Sequence, residues 1–303
     1  MDWRPEDGGP YRVFARILHN QGRTASLTPE HSLHFTFDPC GGGVVCEDFE
    51  AAVLGQAPDA PWRSTGDVFV TDESAYSGAH ALRAEGAGGG YDRNFITLDI
   101  GALEGLPQTL FGRVMVRVEP SDAAGNSFAF LSAEGGPKPG SGAPNDTAVM
   151  YRLRISDEPH PTDPDIHLLM ANYETWADGD GDGRSDWPTD CWRHSNAQLK
   201  EGEWACVEWA FDAERDALSF WIDGWPVADL GVEGEHPVCG NLDTQGGQWT
   251  APARFERLNL GLEGYHGYDE PRAIFLDDIA IGDRRVGCAP PQSSEWEASG
   301  VAE

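Results

Sequence analysis

The sequence predicts an all-β protein built as a two-sheet antiparallel sandwich. The strongest sign is residues 204–227, where apolar and polar residues alternate in two arms around the short charged break at residues 212–216. Alternation with a period of two indicates a strand with one buried face, and two such arms around a polar turn indicate a hairpin. Similar segments recur along the chain between loops rich in glycine and proline, and helical periodicity is scarce, which favours a sandwich.

The first arm of this hairpin separates its residues into two faces. Trp204, Cys206 and Glu208 share one face, whereas Val207 and Trp209 lie on the other with further apolar residues. Strand side chains point alternately to opposite sides of a sheet, so the two sets are predicted to lie on opposite faces. The second arm, residues 217–221, ends at an Asp-Gly pair that suits a turn.

The remaining strands follow from the same alternation, taken in chain order. They are predicted at residues 44–50, 67–71, 77–85, 94–100, 110–118, 128–132, 148–155, 166–173, 255–263 and 274–281. We expect one domain over residues 44–288, preceded by an arm or leader at 1–43 and followed by a flexible tail at 289–303. Within the arm, residues 13–19 suit a short helix and residues 33–37 a strand.

Composition excludes several classes of protein. The 303 residues are 40% hydrophobic, which supplies a core, and contain no run of about 18 apolar residues that would span a membrane. The net charge of −30 opposes binding to nucleic acid. It would also repel an acidic polymer at long range, unless arginines reverse the potential locally. We expect a monomer.

Six cysteines occur without a C-x-x-C pair that would indicate zinc or thioredoxin chemistry. Disulfides, and therefore a secreted or extracellular protein, are the expectation. The N-terminal residues lack the apolar core of a signal peptide.

Three sequence segments resemble the concanavalin A-like lectin/glucanase jelly roll. They are F-W-I-D-G at residues 220–224 after the polar turn, I-F-L-D-D-I-A-I at 274–281, and D-F-E at 48–50 followed by S-G-x-x-A-L at 77–82. The resemblance covers roughly residues 44–288. It implies a jelly-roll sandwich that engages a polysaccharide.

This resemblance also implies a disulfide pairing. The first and last strands of a jelly roll tend to be neighbours, so Cys46 is expected to pair with Cys288. We further expect a bond between Cys191, at a loop end, and Cys206, on the following strand. Cys40 and Cys239 are then left to each other.

Two calcium (Ca²⁺) sites are expected. Residues 178–186, D-G-D-G-D-G-R-S-D, resemble the calcium loops of thrombospondin and dockerin repeats, with ligands at Asp178, Asp180, Asp182 and Asp186. The alternative for this motif is an acidic, solvated turn. The jelly-roll resemblance implies a second ion held by Glu50, the backbone around Ser77, and Asp277; the alternative is that these are ordinary strand residues.

The expected chemistry is β-elimination rather than hydrolysis. A retaining glycosidase of this fold would show E-x-D-x-x-E, and the nearest stretch, C-E-D-F-E at residues 46–50, has the wrong spacing. The chain is similar instead to jelly-roll lyases of the alginate and glucuronan type. Such a reaction needs a base, together with cationic or amide groups that neutralise a uronate carboxylate.

Candidate residues for this reaction fall in three segments. Tyr91, Arg93 and Asn94 form one of them, and Arg152 and Arg154 share one strand face in another. Residues 190–194 are expected to form a loop ordered by the calcium site and by the Cys191 disulfide. The predicted catalytic residues are His194 or Tyr173 as base, with Arg93, Arg152 and Asn172 for the carboxylate; the predicted substrate-binding residues are Trp192, Arg193, Arg154, His167 and Tyr265.

Two other functions remain open from the sequence. A non-catalytic carbohydrate-binding module would use exposed tryptophans such as Trp176, Trp187 and Trp192 to stack on sugars. A calcium-stabilised surface protein would use its acidic face for salt tolerance. A lyase requires a cationic groove, a binding module an aromatic platform, and a surface protein neither.

Overall fold

Two antiparallel sheets lie face to face in the computed structural model, which describes residues 44–87, 91–103, 106, 108–120, 127–141, 147–163, 165–177, 187–233, 249–264 and 271–288. The strands are β1 (Val45–Glu47), β2 (Trp62–Thr65), β3 (Asp67–Thr71), β4 (Ala81–Gly86), β5 (Asp92–Asp99), β6 (Thr109–Val118), β7 (Phe128–Gly135), β8 (Val149–Pro159), β9 (Ile166–Ala177), β10 (Trp187–Lys200), β11 (Trp204–Asp212), β12 (Ala217–Ile222), β13 (Trp225–Pro226), β14 (Arg257–Gly264) and β15 (Arg272–Gly282). The single helical element in these ranges is a 3-10 turn, Ile100–Ala102.

The strand order defines a sandwich. The first sheet runs β13-β12-β11-β6-β15-β4-β3, with β1 also paired to β15, and the second runs β10-β9-β8-β7-β14-β5-β2. Every pair is antiparallel. The predicted fold class is confirmed. The expectation that the first and last strands are neighbours also holds, because Cys46 lies opposite Ala280.

The hairpin predicted at residues 204–227 is confirmed as β11 and β12, with Asp212 opposite Ala217. Trp209 and Phe211 were predicted to share one face of the strand, and both are fully buried. Phe211 reaches across the sandwich, where its ring centre lies 5.7 Å from that of Tyr151. Gly112, on the neighbouring β6, must remain glycine, because a Cβ there would lie 2.0 Å from the Trp209 ring.

One expected loop is instead a strand. Residues 190–194 belong to β10, the edge strand of the second sheet, which pairs with β9 along most of its length. A register shift between His194 and Gln198 breaks the alternation of this strand, and such a bulge hides the period of two from a sequence pattern. Cys191 and Leu199 nevertheless face the core.

The expected disulfide pairing is wrong for the bonds that the structure describes. Cys206 bonds to Cys288, with Cα atoms 5.9 Å apart. Cys46 and Cys191 are also disulfide-bonded, but not to these two residues. The reason lies in the layers: Cys191 faces the core from the second sheet, whereas Cys206 shares the outer face of the first sheet with Glu208.

A C-terminal clasp, residues 283–288, explains why Cys288 reaches Cys206. Arg285 donates two hydrogen bonds to the buried carboxylate of Glu208, at 3.0 and 2.8 Å, and the Gly287 N–H donates a third at 2.9 Å. The Arg285 guanidinium also lies 4.4 Å from the ring centre of Trp221. These contacts return the chain over the outer face of the first sheet, next to β11.

Several expectations lie outside the described residues. They are the limits of the arm at 1–43 and of the tail at 289–303, with the helix and strand expected within the arm, and they stay predictions. Across the part of the chain that is described, no helix is long and apolar enough to span a membrane.

Candidate functional site

The outer surface of the second sheet, here called the polar face, carries most of the predicted site residues. Strand pairing aligns them in two rows. One row contains His194, Met170, Arg154, Ala129, Glu263 and Arg93, and the other contains Trp192, Asn172, Arg152, Ser132, Asn259 and Thr97. Sequence alternation correctly placed Arg152 and Arg154 together, because Leu153 between them faces the core.

Arg152 is the buried centre of the polar face, with 0% of its surface exposed. Its Nη1 contacts Glu174 Oε2 at 2.8 Å and Asn172 Oδ1 at 3.2 Å, and its Nε lies 3.2 Å from Glu263 Oε2. A buried guanidinium requires such partners, because an unpaired buried charge is costly. Arg152 and Asn172 therefore meet as predicted, but within a buried network rather than at an open surface.

Glu263, which the sequence analysis missed, joins this network to the edge of the sheet. Its Oε1 accepts hydrogen bonds from the Tyr91 hydroxyl at 2.7 Å and from Arg93 Nε at 2.8 Å. Burial acts to raise the pKa of Glu263, but Arg152, the Tyr91 hydrogen bond and Arg93 together lower it, so the group is a carboxylate. The alternation of Leu258, Leu260 and Leu262 could have revealed Glu263 in the sequence, because it places residue 263 on the outer face.

Tyr91 and Arg93 form the exposed part of the site. Tyr91 is 57% exposed and the Arg93 side chain 45%. The Arg93 guanidinium lies 5.1 Å from the centre of the Tyr91 ring, a cation–π contact. Burial of the hydroxyl and the neighbouring Glu263 raise the pKa of Tyr91, so its phenol stays protonated and acts as a donor.

The β10 edge of the polar face carries a second group. His194 Nδ1 lies 3.1 Å from Ser156 Oγ, and half-buried Trp192 stands opposite Asn172. Arg193 alternates to the other side of the strand and donates from Nη1 to Gly231 O at 2.9 Å. His194 and Trp192 thus share the polar face, and Arg193 does not.

Five inter-strand steps separate His194 on β10 from Arg93 on β5. At about 4.8 Å for each step, this amounts to about 24 Å along the sheet. That distance is too long for both side chains to act on one sugar. Of the predicted catalytic residues on the polar face, His194 therefore lies at one side and Arg93 at the other, with Asn172 and Arg152 between them.

Arg154 has a local structural partner. Its Nη2 donates to Ser127 Oγ at 2.7 Å, and that hydroxyl in turn donates to Ile155 O at 2.9 Å. Arg154 is 6% exposed. This contact ties Arg154 to β7, and its predicted part in substrate binding stays a prediction.

The structure corrects the expected grouping of Tyr173 and His167 with the two arginines. Tyr173 alternates with Asn172 and packs against the core, where its ring centre lies 6.2 Å from that of Trp249. His167 contacts Glu201 Oε1 at 2.8 Å, and burial lowers its pKa. A period of two places both residues on the side of β9 that faces away from Asn172.

The expected calcium ligands are described only in part. The loop carboxylates Asp178, Asp180, Asp182 and Asp186 lie outside the described residues, as does Tyr265. Nothing is described of the Trp176 and Trp187 side chains. Among the residues that are described, no group of three or more His, Cys, Asp or Glu side chains could hold a metal ion.

Glu50 and Asp277 both anchor the loop at residues 76–80. Asp277 accepts the N–H groups of Tyr76 and Ser77, at 2.8 and 3.1 Å, and Glu50 accepts those of Ala79 and His80, each at 2.8 Å. These amide contacts account for the two carboxylates as loop anchors. A calcium ion held by Glu50, Ser77 and Asp277 stays a prediction.

No protein-family model matches the chain, and a search of curated proteins finds no match. Among solved structures, the cellulose-induced protein Cip1 is similar over 81% of this chain and 100% of its own, with a TM-score of 0.50 and 16% identity. An endo-β-1,4-glucuronan lyase from the fungus Trichoderma reesei is similar over 80% of this chain and 96% of its own, with a TM-score of 0.52 and 15% identity. The fold is the concanavalin A-like jelly roll, as the sequence resemblance indicated.

Proposed function

We propose that the chain is a secreted polysaccharide lyase that binds a uronate-containing glycan on its polar face and cleaves it by β-elimination. The observation that carries this proposal is the exposed Tyr91–Arg93 pair on a protein whose net charge is −30. A local arginine is needed to attract a carboxylate to so acidic a molecule. The Cys206–Cys288 disulfide supports secretion.

Arg93 is the residue proposed to bind the uronate carboxylate. Its terminal nitrogens have no partner among the described residues, and a guanidinium fork matches a carboxylate with two hydrogen bonds. Neutralising that carboxylate favours removal of the proton on the adjacent carbon, the step that starts elimination. Tyr91, stacked on Arg93, is proposed to carry the proton: its oxygen takes the proton from that carbon while its own hydroxyl proton passes to the departing glycosidic oxygen as the carbon–oxygen bond breaks, so the phenol is restored.

The test is formation of the conjugated double bond, followed by ultraviolet absorbance on a panel of uronate polysaccharides. We expect Arg93→Ala to lower kcat/KM about a hundredfold, as loss of one charge-stabilising donor does elsewhere. Arg257→Ala is the matched control, because the Arg257 side chain is 44% exposed and its Nε contacts Glu134 at 2.8 Å. Absence of absorbance on every polymer would reject the lyase.

A non-catalytic binding module is the second candidate, favoured by the distance of about 24 Å between His194 and Arg93. Elimination by the unmodified protein separates the two functions, and His194→Ala then shows which side of the polar face a lyase uses. A lyase that uses His194 loses elimination in this variant, whereas one centred on Tyr91 and Arg93 retains it. A binding module shows no elimination even when both His194 and Arg93 are present, but its migration is still slowed in a gel that contains the polymer.

We also propose that calcium binds at residues 178–186, since alternate aspartates on a glycine-rich loop supply the hard oxygen ligands that this ion prefers. Chelation is expected to lower the melting temperature, because a ligand bound by the folded state alone stabilises it. The double variant Asp180→Ala, Asp182→Ala should no longer respond to the chelator. A response that persists in the double variant would place the ion elsewhere, with Glu50 and Asp277 as the next residues to replace.

A further inference from the structure

Glu263 connects two arginines that differ in their access to a ligand. The Glu263 side chain is 5% exposed, that of Arg152 only 1%, and that of Arg93 45%. Arg152 is also engaged by Glu174 and Asn172. Of the two, only Arg93 can meet a ligand without dismantling a buried network.

The contact with Glu263 uses the part of Arg93 that a ligand does not need. Oε1 accepts from Nε, on one side of the guanidinium, and this leaves the two terminal nitrogens pointing away as a fork. The Tyr91 ring packs against the flat face of the Arg93 guanidinium, and the Tyr91 hydroxyl donates a hydrogen bond to the same Glu263 Oε1. A long side chain held at two points loses little rotamer freedom when it binds, and preorganisation of this kind improves affinity.

Arg257, also on β14, forms a comparable arginine–glutamate pair that, in the described part of the chain, lacks the stacked tyrosine and the second arginine. Its Nε contacts Glu134 Oε1 at 2.8 Å and its exposure is nearly that of Arg93. Cation–π partners are described for Arg93 but not for Arg257 within the described ranges. A simple surface pair contributes little to stability. The Arg93 pair is distinguished by its tether to a buried carboxylate that Arg152 also binds.

We infer that Glu263 is a positioning residue, which prepares Arg93 to bind a carboxylate on the ligand while Arg152 fixes Glu263 in place. This inference rests on the proposed recognition of uronate by the polar face. It assigns to Glu263 no contact with the ligand. Its effect on binding therefore passes through Arg93, and a double-mutant cycle measures that dependence.

The experiment compares two trisaccharides by calorimetry, one of β-1,4-linked glucuronic acid and one of β-1,4-linked glucose, which differ only in the carboxylate at C6. The readout is the preference for the acidic ligand. We expect Arg93→Ala and Glu263→Gln each to reduce this preference at least about fivefold, a typical effect of disrupting one coupled pair. Glu263→Gln should have no further effect once Arg93 is alanine. Glu134→Gln is the matched control and should leave the preference unchanged.

Two results would overturn the inference. One is a Glu263→Gln variant that keeps its preference for the acidic trisaccharide although its melting temperature falls. That result would show that Glu263 has a purely structural role. The other is an equal loss from Glu263→Gln with and without Arg93. If Glu263→Gln does not fold, Arg93→Lys tests the same point, because lysine keeps the charge but cannot be held at Nε while presenting a fork; a retained preference would then refute the inference.

The outcome is separable from that of the lyase proposal. A preference that depends on Glu263, in a protein that shows no elimination, would reject the lyase and support the positioning role. Elimination that proceeds with unchanged KM after Arg93→Ala would support the lyase and reject the positioning role of Glu263, because Arg93 would then not bind the substrate.

Discussion

Replacement of Arg152 by methionine is expected to lower the free energy of unfolding by about 3–5 kcal/mol, the usual cost of removing one partner from a buried ion pair. The change keeps most of the side-chain volume but deletes the guanidinium. Glu263 would retain Tyr91 and Arg93, while Glu174 would lose its 2.8 Å partner and Asn172 a donor. Stability is lost because carboxylates that paired with the Arg152 guanidinium would be left without it in a part of the protein that water reaches poorly.

Urea denaturation followed by tryptophan fluorescence measures this effect. Arg257→Met is the control on the same face of the sheet, where a surface pair with Glu134 is expected to contribute less than about 1 kcal/mol. Equal losses from the two variants would show that the network around Arg152 is solvated and does not behave as a buried one.

Removal of the Cys206–Cys288 disulfide is expected to cost about 4.5 kcal/mol. The bond closes a loop with a sequence separation of 82, and the restriction of the unfolded chain grows slowly with loop length, from about 3 kcal/mol for 15 residues to about 4.7 for 100. The ion pair between Arg285 and Glu208 will keep the C-terminal clasp near β11 in the folded state. It does not restrict the unfolded chain.

The two single variants and the double variant test this expectation together. Cys206→Ala and Cys288→Ala each break the same bond, so each should lower stability as much as the double replacement does. Peptide mapping without reductant identifies the pair directly. Additive losses, or a peptide that links Cys206 to Cys191, would contradict the bond seen in the structure.

Local alternation was sufficient for most of the fold. The residues around Trp209 predicted a hairpin whose first arm has two distinct faces, and β3 (Asp67–Thr71) was predicted with its observed bounds. The same period placed Arg152 and Arg154 on one face, opposite Leu153. These features depend only on neighbours in the chain, because successive side chains of a strand point to opposite sides.

The candidate site was predicted in part. Arg93, Arg152 and Asn172 do lie on one face, but the sequence could not show that Arg152 is buried and Arg93 exposed. Glu263 was missed, since it gains its role from residues more than 100 positions away in the chain. Strand order in the second sheet also separates His194 from Arg93, and a sequence pattern contains no information on that order.

The sequence by itself determined most of the strands, which residues share a strand face, and the jelly-roll class. Only the tertiary structure decided that Cys206 bonds to Cys288, that residues 190–194 form an edge strand, and that Glu263 holds Arg93 and Arg152 together. The physical reason is the range of the interactions. Side-chain direction along a strand is set within a few residues, whereas the pairing of distant strands is set by how two whole sheets bury their apolar faces against each other.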